Sequence, residues 1–118
     1  MAGKLVHFEI PAADTERARS FYNGLFGWSY DAWEGPVEYH MLADTQDPGG
    51  AIYPRQEKEN VRIWFDTNDL DADIARVREL GGEATDREPI PGIGWFTLCK
   101  DTEGNEFGIM SNDPSAGQ

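Results

Sequence analysis

The chain repeats itself. A displacement of 55 positions, Val6 onto Val61, sets Val6-His7-Phe8-Glu9-Ile10 on Val61-Arg62-Ile63-Trp64-Phe65 without a gap. The same displacement sets Asp14 on Asp69, Leu25 on Leu80, Gly27 on Gly82, and Gly49-Gly50-Ala51-Ile52-Tyr53 on Gly104-Asn105-Glu106-Phe107-Gly108. A repeated order of elements restricts the fold to architectures made from two copies of one supersecondary unit. At 118 residues, neither copy can bury a self-sufficient core, so both are expected in a single domain spanning 1–118.

Each copy opens with an alternating strand, Val6 to Ile10 or Val61 to Phe65, and continues into an amphipathic helix. Asp14 and Asp69 offer the side-chain acceptor that a helix N-terminus needs, while Gly27 and Gly81-Gly82 provide the stops. The apolar stripes are Ala18, Phe21, Tyr22, Leu25 and Phe26 in the first helix, and Leu70, Ile74, Val77 and Leu80 in the second. Three strands follow in each copy: Trp28 to Glu34, Val37 to Ala43 and Gly50 to Pro54, then Glu83 to Glu88, Trp95 to Lys100 and Glu106 to Ser111. Polar or Pro/Gly-rich loops at 44–49 and 89–94 separate them. The predicted class is α+β, with two βαβββ modules forming one cupped mixed sheet and the helices on its outer face. Module 1 covers about 4–54, a charged linker 55–60, module 2 about 61–111, and a mobile tail 112–118.

Charge narrows the function. With 22 acidic against 10 basic residues the formal charge is -12, and such a surface repels phosphate backbones and anionic lipid. No nucleic-acid or membrane partner is expected. No segment approaches the ~18 apolar residues of a membrane span, and Met1 to Pro11 lacks the basic start and apolar stretch of a signal peptide. A soluble cytoplasmic protein is the expectation. The lone Cys99 can close no intrachain disulfide and build no cysteine-rich zinc site. Gly49-Gly50 and Gly92-Ile93-Gly94 lack the flanking residues of a phosphate loop, and there is no serine elbow.

Period-two alternation sorts the side chains by face. Val6, Phe8 and Ile10 turn toward the helix layer, so His7 and Glu9 turn away from it; Arg62 and Trp64 do the same in the second copy. Tyr53 and Glu106 are expected beside them, and so are the repeat-equivalent His40 and Trp95 if no bulge interrupts the strand. On a curved sheet these eight residues, His7, Glu9, His40, Tyr53, Arg62, Trp64, Trp95 and Glu106, line a concave ligand-binding cavity. A dimer interface would account for the aromatic members equally well.

The segment His7-Phe8-Glu9-Ile10-Pro11, the helix ending in Leu25-Phe26-Gly27-Trp28, Asp69-Leu70-Asp71 with Gly81-Gly82, and the turn Asp101-Thr102-Glu103-Gly104-Asn105 extend a pattern over residues 4–111. In these motifs the chain resembles the vicinal oxygen chelate superfamily, the group of glyoxalases, bleomycin-resistance proteins and extradiol dioxygenases. The resemblance implies a cupped sheet around a cavity and a homodimer. It also implies four metal-ligand positions, on the first and last strand of each module, which fall here on His7, Tyr53, Arg62 and Gly108. Only His7 is a usual donor, so the family's metal site reads as degenerate and no cofactor is expected, a divalent metal being disfavoured. An alternative set of His7, Glu9, His40 and Glu106 requires those four to converge.

The resulting expectation is a small-molecule binding protein, glyoxalase-like or bleomycin-resistance-like, walled by Trp64, Trp95 and Tyr53. Arg62 either forks onto a carboxylate or phosphate of the ligand or is occupied by Glu9 or Glu106, in which case the acidic field draws in a cation. The alternative is a glyoxalase-like lyase or isomerase acting beside a carbonyl, with Glu9 or Glu106 as base, His7 as acid and Arg62 stabilising an enolate-like oxygen.

Overall fold

The structure, a computed structural model, describes residues 3–43, 47–56 and 59–117. Residues 44–46 of the expected loop, 57–58 of the expected linker and 118 of the expected tail lie outside the described residues. The chain is an α+β protein of two modules, His7–Arg62 and, with the first few residues, Ile63 onward. Its elements are β1 (Leu5–Ala12), α1 (Thr15–Phe26), β2 (Tyr30–Ala32), β3 (His40–Leu42), β4 (Gly49–Pro54), β5 (Arg62–Asp66), α2 (Leu70–Glu79), β6 (Glu83–Ala84), β7 (Glu88–Ile90), β8 (Gly94–Lys100) and β9 (Glu106–Asn112). No helix among the described residues is long and apolar enough to cross a membrane.

In the first module the strand order is β2-β3-β4-β1, with β1 parallel to β4 and the other pairs antiparallel. The parallel pair puts Phe8 opposite Gly50 and Ile10 opposite Ile52. The Phe8 ring lies where a side chain at position 50 would begin, since a Cβ there would come within 2.3 Å of it, so glycine is what lets the phenylalanine lie flat on the neighbouring strand. Trp28 meets it at a tilt, 6.1 Å between ring centroids, and Tyr22 of α1 stacks on Trp28 at 5.1 Å. The Asp14 carboxylate caps α1 by accepting from the Arg17 N–H at 3.0 Å. Gly27 ends the helix at φ 78°, its N–H donating to the Asn23 carbonyl at 2.8 Å. The expected apolar stripe is only partly used. Ala18 and Tyr22 turn inward, whereas Phe21, Leu25 and Phe26 stay about 60% exposed. On the Phe8 side of β4 stand Gly50 and the buried Ile52.

The second module runs β5-β9-β8-β6 with β7 also on β8, β5 being parallel to β9 and the remainder antiparallel. Asp69 caps α2 through the Ala72 N–H at 3.1 Å. Under the helix Leu70, Ile74, Cys99 and Ile109 form the core, with Val77, Ala84, Trp95 and Phe107 packed against it. On the opposite face the buried Trp64 lies across Gly108 and meets the edge of Phe96 at 5.8 Å between centroids.

One sequence expectation changes. The Pro-rich segment after Glu88 contains a strand, β7, which pairs with β8 through a tight turn closed by Ile93 N–H to the Ile90 carbonyl. Pro89 is tolerated there because β7 lies at an edge, where a missing N–H costs no ladder bond. After β9 the described tail folds back: Gly92 N–H donates to the Ala116 carbonyl, Asp113 N–H to that of Ile93, and Ala116 is buried. The linker is also engaged, Arg55 donating from its backbone N–H to Ala12 and from Nη2 to the Pro11 carbonyl.

Gly108→Ala would place its Cβ 2.3 Å from the Trp64 ring. Overpacking of this kind costs about 1–3 kcal/mol, and the expected result is a lower urea midpoint at unchanged m-value.

Candidate functional site

Strand β1 places His7 and Glu9 on the face away from Phe8 and α1, and the strand partners of that face are Gly49, Ala51 and Tyr53. The antiparallel β3–β4 pair sets Met41 opposite Ala51, which brings the preceding Tyr39 to the same side, 6.1 Å from the Tyr53 ring. These placements assemble a continuous network. His7 Nε2 lies 2.6 Å from the Tyr39 hydroxyl, which in turn donates to Glu9 Oε2 at 2.8 Å. Arg62 Nη1 is 3.7 Å from Glu9 Oε1 and 3.7 Å from Glu59 Oε2. Tyr53 donates to Glu59 Oε2 at 2.8 Å, completing a path of six side chains.

Burial sets the protonation states. Desolvation pushes the His7 imidazole below its ordinary value, the nearby Glu9 carboxylate opposing it more weakly, so the ring is neutral at pH 7. The Tyr39 phenol is pushed far upward by burial, with Glu9 adding to it through its charge and as hydrogen-bond acceptor. Tyr53 is raised by burial and by its bond to Glu59. Both phenols therefore keep their protons. The charged members among the described residues are two carboxylates and one guanidinium, with side chains 12% to 16% exposed. At 3.7 Å the Arg62 contacts are ion pairs beyond hydrogen-bond length, not a bidentate fork.

Of the eight residues selected from sequence, the structure brings His7, Glu9, Tyr53 and Arg62 together within the first module. His40 differs. It sits opposite the buried Ile52 and bonds Glu38 at 2.8 Å, and Glu38 also accepts from Thr15 at the start of α1. Trp95 differs likewise: it packs with the α2 core, donates from Nε1 to Asp113 at 3.0 Å and carries the Arg87 guanidinium 4.3 Å above its ring. Both side chains lie on the helix side because the strand register is offset by one residue from the expected alternation. Trp64 keeps its expected face in the second module, and Glu106 faces Lys100 across β8–β9, on the Gly108 side of β9. Tyr39 and Glu59 belong to the network without having been selected. Tyr39 could have been found by pairing β3 with β4 through Ile52; Glu59, in the linker, lies on no periodic element.

The four positions that the superfamily resemblance assigns to a metal do not fit one. His7 Nε2 is taken by Tyr39, Tyr53 keeps its proton on Glu59, Arg62 is a fixed cation, and at Gly108 the Trp64 ring fills the place of a side chain. Among the described residues, no three His, Cys, Asp or Glu side chains gather as a metal ion requires.

Residues 6–110 match the family model described as a glyoxalase-like domain. A glyoxylase-like domain-containing protein of Didymella fabae is 31% identical over 92% of this chain and 94% of its own length. Among solved structures, a methylmalonyl-CoA epimerase from Mycobacterium tuberculosis is similar with a TM-score of 0.71 at 19% identity, covering 95% of this chain and 89% of that one. A Streptomyces coelicolor methylmalonyl-CoA epimerase in complex with 2-nitronate-propionyl-CoA gives 0.65 at 23% identity over 100% of both chains.

The lowered His7 value has a consequence for stability. Between the ordinary imidazole value of 6.5 and the lower folded value, the unfolded chain binds a proton that folded His7 refuses, so stability falls as pH drops through that window. His7→Gln is expected to flatten the pH dependence of unfolding free energy just below pH 6.5, as read from urea titrations at successive pH values.

Proposed function

The chain belongs to the glyoxalase-like domain family of the vicinal oxygen chelate superfamily, and on that premise we propose that it binds a small organic cation, without the family's metal, on the His7–Glu9 face of its first module. One observation carries the reading: among the described residues the Arg62 guanidinium lies between Glu9 and Glu59, so it is already paired with two carboxylates. An incoming carboxylate or phosphate has to displace one of them. An incoming ammonium can join the two carboxylates instead, displacing neither.

The neighbouring rings favour the same class. Trp33 meets Tyr39 at 6.1 Å between centroids, and Tyr39 meets Tyr53 at the same separation, so the two rings that bond the carboxylates belong to a row of three aromatic side chains. Aromatic faces attract cations by about 0.5–2 kcal/mol each, more as water is excluded. The formal charge of -12 adds long-range attraction at low salt. The guanidinium then serves to hold Glu9 and Glu59 in place, and the phenols fix the lone pairs that the ligand does not use.

A second reading, an isomerase or lyase acting beside a carbonyl, is supported by the hydrogen-bonded path from His7 through Tyr39 to Glu9 and by the epimerase activity named for the solved neighbours. Such a path can pass or hold a proton at a reacting carbon.

Benzylammonium, benzyl alcohol and phenylacetate present one ring with three charges. The expected order of affinity, followed by ligand-detected NMR on the full chain, is ammonium first and carboxylate last. Binding should weaken with added salt, fall roughly three- to tenfold in Glu59→Gln, and persist in the presence of a chelator. Tighter binding of phenylacetate overturns the choice of ligand class, and loss of binding on chelation overturns metal independence.

A further inference from the structure

We infer that the proton-accepting atom this site turns to its ligand is Nδ1 of His7, and that Tyr39, oriented by Glu9, is the positioning residue that fixes it. The inference rests on the reading of the His7–Glu9 face as the binding site. It reverses the assignment suggested by sequence, in which a glutamate is the base and His7 the acid.

Tyr39 has one hydroxyl hydrogen, and the geometry commits it to Glu9 Oε2 at 2.8 Å, an ionised carboxylate being able only to accept. The phenol oxygen then has lone pairs but no hydrogen for its second partner. His7 Nε2, 2.6 Å away, must be the donor of that contact. A neutral imidazole carries one ring hydrogen, so placing it on Nε2 leaves Nδ1 as a bare lone pair. Nδ1 makes no hydrogen bond to any described residue.

Glu9 is correspondingly withdrawn from the ligand as a base. One of its oxygens accepts from Tyr39 and the other faces Arg62, so its charge is spent on orienting the phenol and pairing the guanidinium. A carboxylate that sets the tautomer of a histidine through a hydrogen bond is a general device. Here the device acts through an interposed phenol, that of Tyr39. In a binding protein, Nδ1 accepts an N–H of the ligand; in an isomerase, it accepts the transferred proton, which then rests on Nδ1 while Nε2–H remains on Tyr39, giving an imidazolium stabilised by Glu9.

The ring tautomer can be measured directly by two-bond 15N–1H correlation on the 15N-labelled full chain. The sequence has two histidines, and His40→Gln identifies which signals belong to His7. At neutral pH the expected pattern is a protonated Nε2 well separated from an unprotonated Nδ1. Tyr39→Phe should shrink that separation toward the average of two exchanging tautomers, and Glu9→Gln should do the same by freeing the phenol to turn its O–H onto Nε2. Benzylammonium should shift the Nδ1 signal more than the Nε2 signal. A wild-type ring protonated on Nδ1 overturns the inference, as does a separation unchanged in both variants. Benzylammonium that binds while moving only Nε2 overturns the acceptor role and leaves the binding reading standing. Failure of any benzyl compound to bind removes the binding reading, and with it the ligand-facing role, whatever the tautomer.

Discussion

A single phenolic hydroxyl, that of Tyr39, holds the site in one arrangement. It has one hydrogen to give and two neighbours that want an interaction, and the fixed demand of Glu9 for a donor decides which receives it. The tautomer of His7 and the orientation of Glu9 both follow. The rest of the network continues the same logic: Arg62 adjoins both carboxylates, and Tyr53 gives its hydrogen to Glu59. Such a chain is worth more satisfied than its pairwise parts, because each half-buried polar group that lost its partner would carry a desolvation penalty of about 1–3 kcal/mol.

The scaffold beneath the network is apolar and tightly spaced. Phe8 lies flat on Gly50 and, through Trp28, connects β1 to α1, which leaves the intervening residues of β1 no choice but the other face. His7 and Glu9 are therefore placed by the packing of their neighbour rather than by any contact of their own. The polar face is as precise as the apolar face is close-packed.

The repeat, the helix caps at Asp14 and Asp69 and the faces of β1 and β5 were all legible in the sequence, because each rests on a local rule: periodicity, a side-chain acceptor or a terminal glycine. The face of β3 was not. His40 and Tyr39 are adjacent, and choosing between them needs the register against β4, which hydrogen bonds set and which a one-residue slip inverts. Trp95 was misplaced for the same reason. Glu59 was hidden because a charged linker has no period to read, and strand β7 because Pro89 argues against a strand unless its edge position is known. The family resemblance supplied the metal-ligand positions, yet only coordinates reveal that each surviving side chain among them has a different employment.

Duplication gave the two modules the same frame, and they have used it unequally. Glu9 and Tyr53 in the first correspond to Trp64 and Gly108 in the second, where an indole rests on bare backbone and faces Phe96. The second copy thus supplies its own occupant, a tethered aromatic group seated where its twin keeps polar groups.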